Sequence, residues 1–147
     1  MFSDIFKRLS GSDAAPMTET DARLALAALL VRAARTDGYY APAEIDRIDR
    51  ILSARYGLDA TAAAELRKQG EETEATAPDT VRFTRAIKDA VPFEHRIKVV
   101  EALWQVVLAD GERADPENAL LRLTARLLGV SDIESAEARQ RVEGATS

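Results

Sequence analysis

The chain has 147 residues, 46% hydrophobic and 31% charged, with no cysteine and a formal net charge of −5. That length supports a buried core without covalent staples, and the missing cysteine excludes disulfides, thiolate zinc sites and cysteine nucleophiles. The acidic balance argues against an extended nucleic-acid surface, which needs clustered Lys and Arg.

Phe2, Ile5, Phe6 and Leu9 lie at helical spacing before Gly11 and Pro16 break the pattern, so 1–16 reads as an amphipathic segment and linker. It either packs its Phe residues on the core or makes a peripheral contact with a membrane or protein partner through residues 1–10. No apolar run is long enough to span a bilayer and no signal peptide is evident, so a cytoplasmic location is the expectation.

Residues 17–143 are expected to form one helical domain. Thr18 or Thr20 caps a helix running to about Thr36 that is apolar almost all round, and such a helix belongs at the centre. Pro42 starts a second helix carrying Ile45, Ile48, Ile51 and Leu52, which Gly57 stops. A third, Ala-rich helix spans about Ala60 to Glu72, and the acidic stretch Gly70 to Pro78 reads as a solvated connector. A helix from Asp79 to Ala90 follows, with Val81, Phe83, Ile87 and Val91 as candidates for burial, and Pro92 opens a second apolar helix containing Trp104. Asp115-Pro116 starts the next helix, whose apolar face is Leu120, Leu121, Leu123, Leu127 and Leu128; Gly129 ends it. Ser131-Asp132 caps a final, weakly apolar helix, and 144–147 is expected to fray. The predicted fold is therefore an all-α bundle of about seven helices.

Asp37-Gly38 and Glu44 recur 73 positions later as Asp110-Gly111 and Glu117. Leu26, Leu30 and Ala33 precede the first Asp at the spacings at which Val99, Leu103 and Val106 precede the second, so the chain reads as two related helix-turn-helix units. Residues three, four, seven and eleven apart share a helix face, which aims all four carboxylates toward apolar partners. If the units pack as a pseudo-symmetric pair, Asp37, Glu44, Asp110 and Glu117 meet at one end of the core, where a cation would relieve their repulsion. Hard oxygen donors favour Ca²⁺, Mg²⁺ or Mn²⁺ over Zn²⁺. The loop is not an EF-hand, because Gly directly follows the first Asp and Tyr39 and Ala41 fill the alternate positions.

A structural reading stands beside this one. Gly38 and Gly111 serve as helix C-caps, Glu44 and Glu117 favour the positive ends of their helices, and Arg35 or Arg113 neutralises the Asp residues. His95 reads as solvated or at the core edge, and of Tyr39-Tyr40 one ring is expected to pack over the loop. No Gly-rich phosphate loop, nucleophile elbow or HExxH motif is present, so no catalytic residue is assigned and an enzyme is not expected.

Thr36-Asp37-Gly38 with Pro42-Ala43-Glu44, and Ala109-Asp110-Gly111 with Asp115-Pro116-Glu117, resemble the paired ADG-x5-E turns of the TerB-like family of tellurite-resistance-associated proteins. The resemblance covers about Thr18 to Asp132, with Thr36 standing where Ala is usual and Tyr39-Tyr40 making the first turn bulkier. It implies an all-helical fold of two related units, a divalent-metal site at Asp37, Glu44, Asp110 and Glu117, and an accessory role in tellurite or other chemical stress. An interaction or scaffold module with an unidentified protein partner, its acidic cluster purely structural, is the alternative.

Overall fold

A computed structural model of the chain describes residues 19–36, 40–76, 80–109 and 115–146, with side chains described within 22–36, 40–76, 80–109 and 119–144. The amphipathic segment 1–16 lies outside the described residues. Among those residues are seven α-helices and no strand: α1 Glu19–Arg35, α2 Pro42–Tyr56, α3 Ala60–Thr76, α4 Thr80–Ala90, α5 Phe93–Val107, α6 Asp115–Leu127 and α7 Asp132–Thr146. No described helix is long and apolar enough to cross a membrane.

The expected central helix is α1. Leu24 through Val31, then Ala33 and Ala34, are buried, and α1 packs against α2 through α6. Its arginines leave the core by lying across aromatic rings. Arg23 sits 4.5 Å from the ring centroid of Tyr56, Arg32 5.0 Å from that of Phe83 and Arg35 4.9 Å from that of Tyr40. The stems bury apolar area while each guanidinium meets the negative face of a ring. Since α1 starts at Glu19, Thr20 lies inside the helix and is not its cap.

Local signals set the other boundaries. Gly57 (φ 65°) and Gly129 (φ 78°) adopt the left-handed conformation that most side chains resist. Each is followed by the same closing bond, from Leu58 N–H to the Ser53 carbonyl at 3.1 Å and from Val130 N–H to the Ala125 carbonyl at 2.8 Å. At the start of α7, Ser131 Oγ accepts from Glu134 N–H at 3.1 Å and Glu134 Oε1 accepts from Ser131 N–H at 3.0 Å, a complete capping box. The contact pattern also repeats along the chain: α1 packs on α2 and α3 as α5 packs on α6 and α7, and α1 meets α5 directly.

Three expectations need correction. Gly70 to Thr76 is not a solvated connector but the last two turns of α3, with Gly70 and Thr73 buried against the bundle. Gly70, Thr73 and Thr76 are weak helix formers, and tertiary contacts help to hold these turns: Gly70 lets the backbones of α3 and α1 approach closely, and Glu74 pairs with Arg32 and Arg35. Val81 is 49% exposed because α4 buries Thr80, Phe83, Thr84 and Ile87, a stripe that Val81 misses. Leu123 is 46% exposed for the same reason, α6 turning Leu121, Thr124, Ala125 and Leu128 inward.

Candidate functional site

The first acidic turn joins α1 to α2. Pro42 can open α2 because its missing N–H falls where helix donors have no intrahelical partner anyway. The capping position is Ala41, extended at φ −69° and ψ 146°, and alanine has no side-chain acceptor. Glu44 compensates by reaching back: its Oε1 accepts the Ala41 N–H at 3.0 Å, a bond added to the preference for the positive helix end read from sequence. Glu44 is nonetheless fully buried, on the face shared by Ile48, Ile51 and Leu52. A capping carboxylate does not need burial, and removing one from water costs several kcal/mol, roughly, unless charge and hydrogen bonds compensate.

Residues on both sides of this turn are tied to α3. Arg35 Nη1 donates to Glu74 Oε1 at 2.8 Å, and Arg32 reaches the same carboxylate at 3.2 Å and the Glu74 carbonyl at 3.2 Å. Arg35, the candidate to neutralise Asp37, which lies outside the described residues, engages Glu74 and the Tyr40 ring. Beyond the turn, the Tyr40 hydroxyl donates to Glu71 Oε2 at 2.7 Å, which also accepts from Arg67 at 2.9 Å, while Arg67 Nε donates to Asp49 at 2.6 Å. Glu71 and Glu74, read from sequence as solvated, therefore anchor the turn. Their i,i+3 spacing places them on one face of α3; Glu71 pairs with Arg67 one turn earlier on the same helix, whereas the cations that meet Glu74 come from α1.

Burial, and then the hydrogen bond to anionic Glu71, push the Tyr40 hydroxyl well above its ordinary value. A raised folded value means that the folded state holds the proton longer than the unfolded one. Tyr40 therefore contributes stability that is fully present below about pH 10 and is lost as pH rises toward the folded value. Wild type should lose more unfolding free energy than Tyr40→Phe between about pH 9 and 11 in parallel urea titrations. Equal losses would show that the phenol is not so held.

Of the four carboxylates singled out by sequence, Glu44 alone has a described side chain. Asp37 and Asp110 lie outside the described residues, and Glu117 falls in the first turn of α6 where only the backbone is described. The second turn leaves α5 through backbone bonds from Leu108 to Trp104 and from Ala109 to Val106, just before Asp110. Among the described residues no group of three or more His, Asp or Glu side chains could hold a metal ion. His95 is exposed, as expected, and lines a groove with Arg23, Arg55 and Lys98.

Comparison with known proteins gives two findings. A family model described as tellurite resistance protein TerB matches residues 23–140. Among solved structures, a protein of unknown function from Porphyromonas gingivalis W83 is similar, with a TM-score of 0.61 at 22% identity over 83% of this chain and 87% of that one. That similarity concerns the fold alone. No curated protein matches.

Proposed function

Because this chain belongs to the TerB family, we propose that it is a non-catalytic accessory module in the response to tellurite or related chemical stress, built around a divalent cation. Asp37, Glu44, Asp110 and Glu117 would hold the ion. The observation that supports this reading is the complete burial of the Glu44 carboxylate at the mouth of the first turn. Burial suits a hard oxygen donor, and the other three candidates are anions too, so gathering them calls for positive charge. Ca²⁺, Mg²⁺ or Mn²⁺ is favoured over Zn²⁺ because neither cysteine nor a nearby histidine belongs to the set. When bound, the ion would neutralise the cluster and cross-link the two turns; this chain's own residues supply oxygen donors and a shell, anchored by Glu71 and Glu74, that holds the first turn.

The second reading, an interaction module whose acids only shape the fold, draws on the Glu44 Oε1 bond to Ala41 N–H. Metal titration of chelator-treated protein separates the two. A cation that binds only the folded state stabilises it by RT ln(1 + [L]/Kd), about 2.7 kcal/mol at a hundredfold excess over Kd. Calorimetry should show saturable heat, the melt should rise by several degrees, and Asp37→Asn or Asp110→Asn should remove most of that rise. Without metal, each variant should equal or exceed wild type in stability, since one charge fewer relieves repulsion. No heat and no melt shift with Ca²⁺, Mg²⁺, Mn²⁺ or Zn²⁺ at millimolar concentration would sink the metal reading and leave the structural one.

A further inference from the structure

A second candidate site, made of different residues, lies among α5, α6 and α7. A pocket of about 440 Å³ is lined there by Trp104, Arg122, Arg126, Asp132, Ser135 and Arg139. Its volume falls within the ~300–1,000 Å³ typical of small-molecule sites. Arg122 and Arg126 stand one turn apart on α6 and are exposed, and among the described residues neither has an ion-pair partner. Arg139 comes from α7, its guanidinium 5.4 Å from the Trp104 ring centroid and its Nε 3.4 Å from Glu143. The Trp104 indole N–H donates to Ser135 Oγ at 3.3 Å, which fixes the ring that forms one wall.

Three arginines face one lining aspartate, and Arg139 is shared with Glu143, so a net positive charge remains around this concavity in a chain whose net charge is −5. Elsewhere the arginines of this protein are largely consumed by carboxylates or rings, as Arg32, Arg35 and Arg67 are. Guanidinium groups present paired donors that match the oxygens of a phosphoryl group, and a phosphate monoester carries about two negative charges at neutral pH. We infer that this pocket binds a phosphate monoester, with Arg122 and Arg126 donating to its oxygens and Arg139, steadied against Trp104, closing the third side. The group can come from a free small molecule or from a phosphoserine in a partner protein.

Trp104 is the chain's single tryptophan, so its fluorescence reports occupancy of this pocket directly. Titration of the intact protein with O-phosphoserine and with inorganic phosphate should give a saturable change, and serine should give none. Arg122→Gln and Arg126→Gln should each weaken binding about tenfold or more, as expected for a lost charge-assisted bond, with the thermal midpoint nearly unchanged at these exposed positions. Arg126→Lys should recover only part of the loss, because a point charge replaces the fork. A phosphoserine peptide that binds more tightly than O-phosphoserine would assign the group to a protein partner, and equal affinity would assign it to a free ligand. The other basic groove, where Arg55 and Lys98 lie beside Tyr56, provides the control. If Arg55→Gln/Lys98→Gln weakens binding as much as Arg126→Gln does, or if neither fluorescence nor calorimetry responds to any of these phosphates at millimolar concentration, the inference is overturned.

Discussion

Phe83→Ala is expected to lower the free energy of unfolding by roughly 3–5 kcal/mol. The ring is fully buried, carried inward by α4 together with Ala86 and Ile87 and pressed against α1, where the Arg32 guanidinium lies 5.0 Å from its centroid. Truncation opens a cavity beside the central helix and removes the surface over which Arg32 leaves the core. Domains of this kind are stable by only about 5–15 kcal/mol, so the variant should be marginal at physiological temperature. Val81→Ala, two residues earlier on the exposed side of the same helix, should stay within about 0.5 kcal/mol of wild type. Urea unfolding followed by circular dichroism, with the slope on denaturant compared across all three proteins, checks both values. A loss below about 1 kcal/mol for Phe83→Ala would contradict the packing of α4 on α1.

Gly70 should tolerate no side chain, although it sits inside a helix where glycine is intrinsically poor. A Cβ at this position would lie 2.8 Å from the Ala27 carbonyl carbon, 2.8 Å from the Ala27 Cβ and 3.0 Å from the Ala28 nitrogen. Two of these three neighbours are backbone atoms of α1 that no rotamer change can move, so α1 and α3 would have to separate. Gly→Ala in a helix normally gains up to about 1 kcal/mol, while overpacking costs about 1–3 kcal/mol or more. Gly70→Ala is therefore expected to be destabilising despite its propensity, and Gly70→Val more so, by about 2 kcal/mol or more since valine regains less propensity. Gly144→Ala in α7, where an added Cβ meets nothing within 4 Å, should be neutral or slightly stabilising. Thermal melts of the three variants decide the matter; a stabilised Gly70→Ala would mean that the two helices do not touch there.

Much of the architecture was legible because helix boundaries depend on chemistry within a few residues. Pro42 at the start of α2, Gly57 and Gly129 at the ends of α2 and α6, and the Ser131–Glu134 box each act on backbone groups one turn away. The all-round apolar character of Leu24 to Ala34 likewise announced a central helix, since only a helix with neighbours on every side can bury such a surface. The apolar faces of α4 and α6 were read less well. A list of apolar residues does not distinguish the inward stripe from a Val81 or Leu123 lying off its edge, about 60° and about 100° respectively from its nearest member, and the stripe is set by which neighbouring helices exist.

At the candidate metal site, the sequence by itself determined the identity of four acids, their repeated spacing within each turn and the place of Glu44 at the positive end of its helix, because each is a property of one local stretch of chain. Only the tertiary structure decided that Glu44 is wholly buried and that Glu71 and Glu74 hold the flanks of the turn. It also decided that α3 continues through Thr76, and that Arg139 faces Arg122 and Arg126 across one pocket. The physical reason is the same in each case. A charged side chain is equally compatible with water and with an opposite charge, and which one it meets depends on helices 39 to 42 residues away for Glu74, a distance over which local preference carries no information.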